Sequence, residues 1–330
     1  MKRKLPHVWS IILAGGSGNR MQPFIGQWLG QNIPKQYCSF IGERSLFQHT
    51  LERTGQFHQP EQTIAVISQA DKEIASLQMA PYPGGAVMMQ PRNCDTGPGV
   101  FLPLSYLKLI ASDATVIILP SDHFIYPSDR FHHVLTHAVN ALEKQSEQLI
   151  LLGVRPNTPE TEYGWIKRGP PIGKDEIASL YRVQSFIEKP PAPIAEHLKK
   201  TGGLWNTMIL VGKVSTFWNL GWLVFPPPLM QKFRAFQAFI GSQWEQSMLE
   251  HMYMDMPVCN LSRGFLQKIP NYLTVLEMTN VLWSDWGQPR RIFETLQAIG
   301  KTPNFPCDRL HKFLSNTVDI PSLPSTSRIG

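Results

Sequence analysis

Three glycines and two basic residues near the start of the chain have the spacing of a phosphate-binding loop. Gly15, Gly16 and Gly18 follow a short apolar run, and Arg20 and Lys35 come shortly after them. A glycine-rich turn at the carboxyl end of a strand lets backbone N–H groups approach phosphate oxygens closely. Two fixed cations beside that turn would neutralise a triphosphate and stabilise the charge on a departing pyrophosphate. The pattern therefore predicts a triphosphate-binding loop.

The loop fits neither of two familiar nucleotide fingerprints. The dinucleotide pattern G-x-G-x-x-G matches Gly16 and Gly18 but requires a third glycine where Met21 stands. The P-loop pattern, started at Gly15, would require glycine at Arg20 and lysine at Met21. Glycines also occur at tight turns between a strand and a helix that bind nothing, so a purely structural turn stays an alternative.

An aspartate follows a second apolar run, in "VIILPSDHFI", where Asp122 lies between Ser121 and His123. A carboxylate at the carboxyl end of a strand can hold a Mg²⁺ ion that bridges phosphates. Capping of the following helix is the alternative for this aspartate. His133 and His137 lie four residues apart on a predicted helix, but no third ligand is near them in sequence, so no metal site is expected there.

Short apolar runs alternate with longer amphipathic segments in the first half of the chain. The runs predict buried strands over 9–14, 63–68, 85–90, 115–120 and 149–154. The longer segments predict helices over 45–57, 71–80, 99–112 and 129–146. Strands that alternate with helices in this way indicate an α/β fold with a Rossmann-like, doubly wound and mostly parallel sheet.

The pattern changes after about residue 155, where prolines and aromatic residues become more frequent. Strands of a mixed sheet are expected over 179–190 and 204–218, followed by a helical region over about 215–255 that "FPPPLM" interrupts. We expect one domain over residues 1–300, with halves at 1–155 and 156–300. The Pro/Ser-rich extension over 301–330 is expected to pack loosely.

Six short motifs, taken together, resemble those of one enzyme family. "LAGGSGNRMQPF" followed by "PKQY" resembles the signature of the sugar-1-phosphate nucleotidylyltransferases, L-A-G-G-x-G-[ST]-R-[LM]-x-P followed by P-K-Q-[FY]. "PSDH", "PETEYGWI", "FIEKP", "LWNTM" and "LWSDWG" are similar to elements of the mannose-1-phosphate guanylyltransferase branch of that family and come in the same order. The resemblance runs from Leu13 to about Leu296.

The resemblance implies roles for individual residues. Catalytic roles are implied for Arg20, Lys35, Asp122, Lys189 and Asp285, of which Asp122 and Asp285 would bind Mg²⁺. Contacts with the nucleotide are implied for Leu13, Ala14, Gly15, Gly16, Gly18, Arg92, Asn93, Thr96 and Ser121. Contacts with the sugar phosphate are implied for Tyr163, Gly164, Glu188, Lys189 and Asn206.

The implied reaction transfers a nucleotidyl group from GTP to mannose 1-phosphate and forms GDP-mannose and pyrophosphate. The same chemistry with another base or sugar, for example glucose 1-phosphate, is an alternative. A second alternative is a catalytically weak protein that binds sugar nucleotides and regulates another enzyme.

Several positions depart from the family pattern. Asn19 stands where a small hydroxyl residue is usual, and Glu162 and Met208 stand where glycine is usual. Two acidic positions become Ser262 and Gln267 on the sugar side. Either the sugar differs from mannose, or the residues that support it have been rebuilt.

The loop that helps to select guanine in this branch is also altered. The usual R-N-T-A-P-A keeps Arg92 and Asn93, after which Cys94 and Asp95 are inserted before Thr96. The alternative of a base other than guanine rests on this altered loop.

Composition and charge restrict the partners. The formal net charge of +6 suits anionic ligands such as nucleotides, whereas basic residues are too scattered to indicate nucleic-acid binding. No apolar run approaches the roughly 20 residues that span a bilayer. Four widely spaced cysteines, without a Cys-x-x-Cys pair, favour a reducing, cytoplasmic setting. A homo-oligomer is compatible with these features.

Overall fold

The structure, a computed structural model, describes residues 7–174 and 179–306 of the 330-residue chain. The strands in these residues are β1 (Val8–Ala14), β2 (Thr63–Ser68), β3 (Ala86–Gln90), β4 (Thr115–Pro120), β5 (Phe124–Tyr126), β6 (Leu149–Val154), β7 (Gly164–Lys174), β8 (Ser179–Glu188), β9 (Leu204–Lys213), β10 (Leu273–Glu277) and β11 (Leu282–Ser284). The five strands predicted for the first half of the chain are confirmed to within one residue.

The α-helices of the same residues lie between the strands or follow them. They are α1 (Gln22–Leu29), α2 (Leu46–Thr54), α3 (Lys72–Met79), α4 (Thr96–Ile110), α5 (Ser128–Glu143), α6 (Ala192–Lys200), α7 (Val214–Val224), α8 (Pro227–Phe236), α9 (Glu245–Met254), α10 (Leu261–Gly264) and α11 (Pro289–Ala298). The prolines of "FPPPLM" separate α7 from α8, as predicted.

Nine strands form one sheet in the order β3-β2-β1-β4-β9-β6-β10-β8-β7. The first four strands of the chain pair in parallel, whereas β9 lies antiparallel between β4 and β6. The parallel first half and the mixed second half agree with the predicted fold class. The strand predicted over 204–218 is too long, because β9 ends at Lys213 and the apolar residues that follow form the buried face of α7.

Helices cover both faces of the sheet, which explains why most of its strands are apolar throughout. On one face Phe101 of α4, Phe217 of α7 and Phe233 of α8 belong to a single core cluster. On the other face Val134 of α5 and Leu198 of α6 belong to a second cluster. None of the helices in the described part of the chain is both long and apolar enough to cross a membrane.

The position of β1 in the sheet determines where a ligand can bind. The chain passes from β1 to β2 on one side and later to β4 on the other side. In open α/β sheets such a switch leaves a crevice at the carboxyl ends of the two central strands, and ligands bind there. The glycine loop and Asp122 directly follow β1 and β4 and therefore lie at this crevice.

A separate two-stranded sheet brings a distant part of the chain to the same crevice. β5 and β11 pair antiparallel, with Phe124 opposite Ser284. Trp286 then stacks on Phe124 with ring centroids 4.5 Å apart. This pairing places Asp285 next to Asp122, although 162 residues separate the two in sequence.

The described start of the C-terminal extension is packed into the protein. Phe305 is 2 % exposed, and its ring lies 5.1 Å from Phe24 and 5.6 Å from Trp28, centroid to centroid. The expectation of loose packing is therefore wrong at Phe305, because its side chain completes an aromatic cluster on α1. The rest of the extension, over 307–330, lies outside the described residues.

Phe305→Ala is expected to lower the free energy of unfolding by about 3 kcal/mol, since it removes a buried ring and leaves a cavity. Urea denaturation of the full chain measures this loss. Lys301→Ala, on an exposed side chain of the same segment, is the control and should change the free energy by less than about 0.5 kcal/mol. Equal stability of the two variants would contradict the packing of Phe305.

Candidate functional site

The glycine loop is held by the segment that follows Lys35. The side-chain amide of Gln36 donates hydrogen bonds of 2.9 Å to the main-chain oxygens of both Ala14 and Gly16. The Tyr37 hydroxyl donates to the same Ala14 oxygen at 3.2 Å. These hydrogen bonds engage the main-chain oxygens of Ala14 and Gly16 and fix the shape of the loop.

Gly18 must be a glycine in this arrangement. Its φ is +62°, and a Cβ atom there would lie 3.3 Å from the Lys35 backbone nitrogen. The close approach of the two segments therefore depends on the absence of a side chain at Gly18. By contrast, a Cβ at Gly16 would meet nothing within 4 Å, so the loop is open to a ligand at that point.

Lys35 lies between the two candidate metal-binding aspartates. Its ammonium nitrogen is 3.1 Å from Asp122 Oδ2 and also donates a hydrogen bond to the main-chain oxygen of Asp285. Burial raises the pKa of Asp122, but Lys35 and His123 outweigh burial and hold that pKa below its usual range. The Asp122 carboxyl is therefore ionised at neutral pH.

Asp285 is the most strongly stabilised carboxylate of the site. Its Oδ1 accepts hydrogen bonds from the Tyr163 hydroxyl at 2.6 Å, Arg291 Nη1 at 2.9 Å and the Gly287 N–H at 3.0 Å. Burial raises the pKa of Asp285, but the charges of Lys35 and Arg291 and these hydrogen bonds hold it well below its usual range. Its Oδ2 has a single, longer contact of 3.5 Å with Arg20.

His123 is held in one orientation behind Asp122. The Trp283 indole N–H can only donate, so His123 Nδ1 accepts this hydrogen bond of 3.3 Å and the proton lies on Nε2. Nε2 is 3.6 Å from Asp122 Oδ1. Burial lowers the pKa of His123 despite the neighbouring Asp122 carboxylate, so the ring is neutral at pH 7.

Arg20, on the glycine-loop side of the crevice, is paired with a carboxylate from the other side. Arg20 Nη1 is 2.5 Å from Glu162 Oε2, and the two side chains are 51 % and 37 % exposed. Arg291 is 3.6 Å from the same oxygen, and the Gln288 amide donates to it at 3.4 Å. Glu162, the acidic residue that stands where glycine is usual, thus forms an ion pair with Arg20, the residue that is predicted to bind phosphate.

A cavity of about 380 Å³ adjoins the glycine loop. Five of the predicted nucleotide-binding residues line it, namely Leu13, Gly15, Gly16, Asn93 and Thr96.

Two further predicted nucleotide contacts are engaged within the protein. Ser121 donates through both its N–H and its hydroxyl to the Leu13 carbonyl, which ties β4 to the end of β1. Arg92 donates to the Met256 main-chain oxygen at 2.9 Å.

Three predicted sugar contacts converge at the start of β7. A Cβ atom at Gly164 would lie 2.7 Å from Glu188 Oε2 and 3.3 Å from Asn206 Cβ, so a side chain at this position would displace the Glu188 carboxylate. Asn206 is 4 % exposed, and its Oδ1 accepts the Met208 N–H at 3.2 Å. Its Nδ2 has no hydrogen-bond partner among the described residues. A buried amide that is held by its oxygen and left with free N–H groups suits a ligand oxygen.

The unusual residues on the sugar side contact one another or Glu188. Met208 adopts the left-handed conformation with φ of 57°, which explains why glycine is usual there. The Ser262 hydroxyl lies 3.3 Å from the Met208 sulfur. Gln267 Oε1 accepts the Glu188 N–H at 3.4 Å. The three departures therefore form one rebuilt support beneath Glu188, whose pKa is raised chiefly by burial.

Lys189 directly follows Glu188 at the edge of the site. Its backbone is left-handed with φ of 50°, and its N–H donates to the Tyr163 main-chain oxygen at 3.1 Å. The side chain is exposed. Lys189 is thus placed beside Tyr163 by its main chain, with its ammonium group in solvent.

The two candidate metal ligands do not form a complete protein cage. Within residues 7–174 and 179–306, no group of three or more His, Cys, Asp and Glu side chains is arranged to hold a metal ion. Asp122 and Asp285 would supply two carboxylates, and any further ligands would come from substrate or water.

Known proteins resemble this chain in both sequence and structure. The alginate biosynthesis protein AlgA of Pseudomonas syringae is 32% identical over 210 residues, which cover 63% of this chain and 42% of AlgA. The mannose-1-phosphate guanylyltransferase of Sinorhizobium fredii is 28% identical over 291 residues, which cover 86% of this chain and 54% of that protein. The chain thus spans about half the length of the curated relatives it matches.

A solved structure has the same fold. The crystal structure described as mannose-1-phosphate geranyltransferase from Thermus thermophilus superimposes with a TM-score of 0.70 at 24% identity, over 87% of this chain and 79% of that one. The family model for nucleotidyl transferase matches residues 9–302, which include the glycine loop, both aspartates and the sugar-side residues. The chain belongs to the nucleotidyl transferase family.

Proposed function

We propose that this chain transfers a guanylyl group from GTP to mannose 1-phosphate, forming GDP-mannose and pyrophosphate. The observation that carries the proposal is the position of Lys35, whose buried ammonium group lies beside the glycine loop and contacts both Asp122 and Asp285. A lysine ammonium group next to two aspartates at a glycine loop suits the binding of a triphosphate together with its metal ion. The likeness to a mannose-1-phosphate guanylyltransferase supports the choice of base and sugar.

The reaction needs no covalent intermediate with the protein. An oxygen of the sugar phosphate attacks the α-phosphorus of GTP, and the bond from that phosphorus to pyrophosphate breaks on the opposite side. The protein contributes positioning and charge stabilisation. Backbone N–H groups of Gly15 and Gly16 and the side chain of Arg20 would hold the triphosphate. Lys35 would stabilise negative charge at the α-phosphate and on the departing pyrophosphate.

The residues present fit a Mg²⁺ ion that protein and phosphates hold jointly. Magnesium commonly takes one or two protein carboxylates and completes its octahedron with phosphate oxygens and water. Asp122 and Asp285 are both ionised and would be these ligands. When bound, the ion would neutralise phosphate charge. Lys35 orients Asp122 through the 3.1 Å ion pair, and Tyr163 and Arg291 orient Asp285.

The sugar phosphate would bind in the second half of the chain. Asn206 Nδ2 and the Glu188 carboxylate face the position beside Gly164 and would bind sugar hydroxyl groups. Tyr163 and Gly164 would lie along the sugar, and Lys189 would bind its phosphate. This division supports the proposed halves at residues 1–155 and 156–300. A cytoplasmic location is proposed from the free cysteines Cys38, Cys94 and Cys259, and a homo-oligomer remains part of the proposal.

Two other functions have specific support. The rebuilt contacts of Met208, Ser262 and Gln267 would suit a sugar other than mannose, for example glucose. The same contacts would suit a catalytically weak protein that binds sugar nucleotides, but such a protein would not need Lys35 between two carboxylates. The arrangement of Lys35 with the two carboxylates therefore favours an enzyme.

The test is pyrophosphate release from GTP, ATP, UTP and CTP, each with a panel of sugar 1-phosphates. The proposal expects release with GTP and mannose 1-phosphate well above every other pair. A higher rate with another pair would change the assigned substrates. Tight binding of GDP-mannose without turnover of any pair would support the regulatory alternative.

Glu162→Gln is expected to strengthen GTP binding up to about fivefold, since the ion pair with Arg20 competes with the triphosphate and an exposed pair contributes roughly 0.2–1 kcal/mol. Equilibrium titration at low salt measures the effect. Glu294→Gln breaks the exposed pair with Arg290 on α11 and is the matched control. Weaker GTP binding in Glu162→Gln would mean that Glu162 positions Arg20 instead of competing for it.

A further inference from the structure

One carboxylate in the wall of the nucleotide cavity contacts, within residues 7–174 and 179–306, only neutral hydrogen-bond donors. Asp95 Oδ1 accepts from the Thr96 N–H at 2.6 Å, the Thr96 hydroxyl at 3.1 Å and the Asn260 side-chain amide at 3.2 Å. Asp95 Oδ2 has only a weaker contact of 3.4 Å with the same amide. The strong hydrogen bonds of this carboxylate are therefore all on Oδ1, and Oδ2 is left to accept donors from a ligand.

The backbone of Asp95 is held in a conformation that favours glycine. Its φ is +68° and its ψ is −175°. Its N–H donates to Asn93 Oδ1 at 2.9 Å, and Thr96 Oγ1 accepts the Leu261 N–H at 2.9 Å. A non-glycine residue in this region persists only where its surroundings require it, and such strain is concentrated at functional sites. The contacts from both sides keep the carboxylate directed at the cavity.

The cavity lined by Asp95 also includes the glycine loop. Gly15, Gly16, Thr96 and Asp95 surround the same space of about 380 Å³. If the triphosphate lies on the glycine loop, as in the proposed function on which this inference rests, the base and ribose extend into this space. Asp95 then faces the base.

We infer that Asp95 selects the base and favours guanine by accepting hydrogen bonds at Oδ2 from its N1–H and 2-amino groups. Guanine presents these two donors side by side, and one carboxylate oxygen can accept from both. The single N–H of uracil lies between two carbonyl oxygens, which would face the negative charge. Adenine and cytosine each present an acceptor next to their amino group. The inserted residue that makes the guanine loop unusual thus supplies the guanine contact.

Asp95→Asn tests the inference with little change of shape. The Thr96 N–H and the Asn260 amide both donate to Oδ1, so the new amide keeps its oxygen there and directs its NH₂ group at the cavity. With GTP, this NH₂ group then faces the N1–H and 2-amino donors of guanine, and no hydrogen bond can form between them. Xanthosine triphosphate, in which an oxygen replaces the 2-amino group, gains an acceptor that matches the variant. Inosine triphosphate lacks the 2-amino group and is the intermediate probe.

Calorimetric dissociation constants for GTP, ITP and XTP, with magnesium present, measure the effect without requiring turnover. GTP binding is expected to weaken about 10- to 100-fold in Asp95→Asn, while XTP binding strengthens about 10-fold or more. The binding of ITP to this variant should weaken less than the binding of GTP. Asp129→Asn, the same change on an exposed carboxylate at the start of α5, is the control and should leave all three constants unchanged.

An unchanged ratio of GTP to XTP affinity in folded Asp95→Asn would overturn the inference. If circular dichroism shows that this variant is unfolded, the binding constants of the wild-type chain serve as the test. Equal affinity of the wild type for GTP and ITP would also overturn the inference. A different result would contradict the proposed function alone. In that case the wild type binds GTP more tightly than ITP and XTP but releases no pyrophosphate.

Discussion

Asp122→Asn is expected to lower kcat about 10²- to 10³-fold. The substitution keeps the shape of the side chain but removes the negative charge that pairs with Lys35 at 3.1 Å and would bind the metal. Loss of one preorganised charge contact commonly costs this much in rate. Steady-state pyrophosphate release measures kcat. Binding of Mn²⁺ in the presence of GTP, followed by electron paramagnetic resonance, should weaken in the same variant.

Asp129→Asn is the matched control for this variant as well. Asp129 is exposed, and its substitution removes one negative charge at a position outside the crevice. Its kcat should stay within about twofold of the wild type. Thermal unfolding of both variants separates a loss of fold from a loss of chemistry. An Asp122→Asn variant that is folded and retains more than a tenth of the activity would contradict the assigned role.

Lys35→Met is expected to lower kcat by a similar factor, about 10²- to 10³-fold, and to affect both carboxylates. Methionine retains much of the length of the side chain, but the charge beside Asp122 and the hydrogen bond to the Asp285 main chain are lost. Because Lys35 holds the pKa of Asp122 below its usual range, that pKa should rise in the variant. Activity should therefore fall at a higher pH on the acidic side than in the wild type.

Lys72→Met, on an exposed position of α3, is the control for loss of one positive charge. Rates across pH 4 to 8 distinguish two causes of a low kcat. A uniform loss with an unchanged pH profile would show that Lys35 acts on the substrate alone, without setting the ionisation of Asp122. A kcat near that of Lys72→Met would contradict the catalytic role.

Most of the fold could be predicted from sequence because its signals are local. The five runs of the first half are short, β-branched or otherwise apolar, and bounded by turns, and each forms a strand of the sheet. The limit of β9 could not be predicted in this way. The residues that follow Lys213, "VSTFW", are again rich in apolar and β-branched types, so the local pattern does not mark the change from strand to helix, although Phe217 and Trp218 of α7 pack in the same core cluster as Phe101.

The predicted site residues are those that motifs mark, and two residues that support the site were missed. Gln36 fixes the glycine loop from 22 residues away, and Arg291 of α11 donates a hydrogen bond to Asp285. Arg291 lies outside the quoted motifs. Gln36 belongs to the quoted "PKQY" motif, which is the signal that could have identified it.

Departures from the family pattern proved informative where the structure shows their contacts. Glu162 replaces a glycine and pairs with Arg20, and Asp95 lines the nucleotide cavity. The sequence alone identifies these positions as unusual but does not show which side chains they reach. Only the three-dimensional arrangement connects them with the triphosphate and the base.

The most direct test of nucleotidyl transfer is the fate of the α-phosphate of GTP. With [α-³²P]GTP, mannose 1-phosphate and Mg²⁺, the wild-type chain should place the label in GDP-mannose and release one pyrophosphate for each label transferred. Asp122→Asn should lower the rates of formation of both products by the same factor. Label that appears in GDP or GMP, with no labelled GDP-mannose, would contradict the central claim.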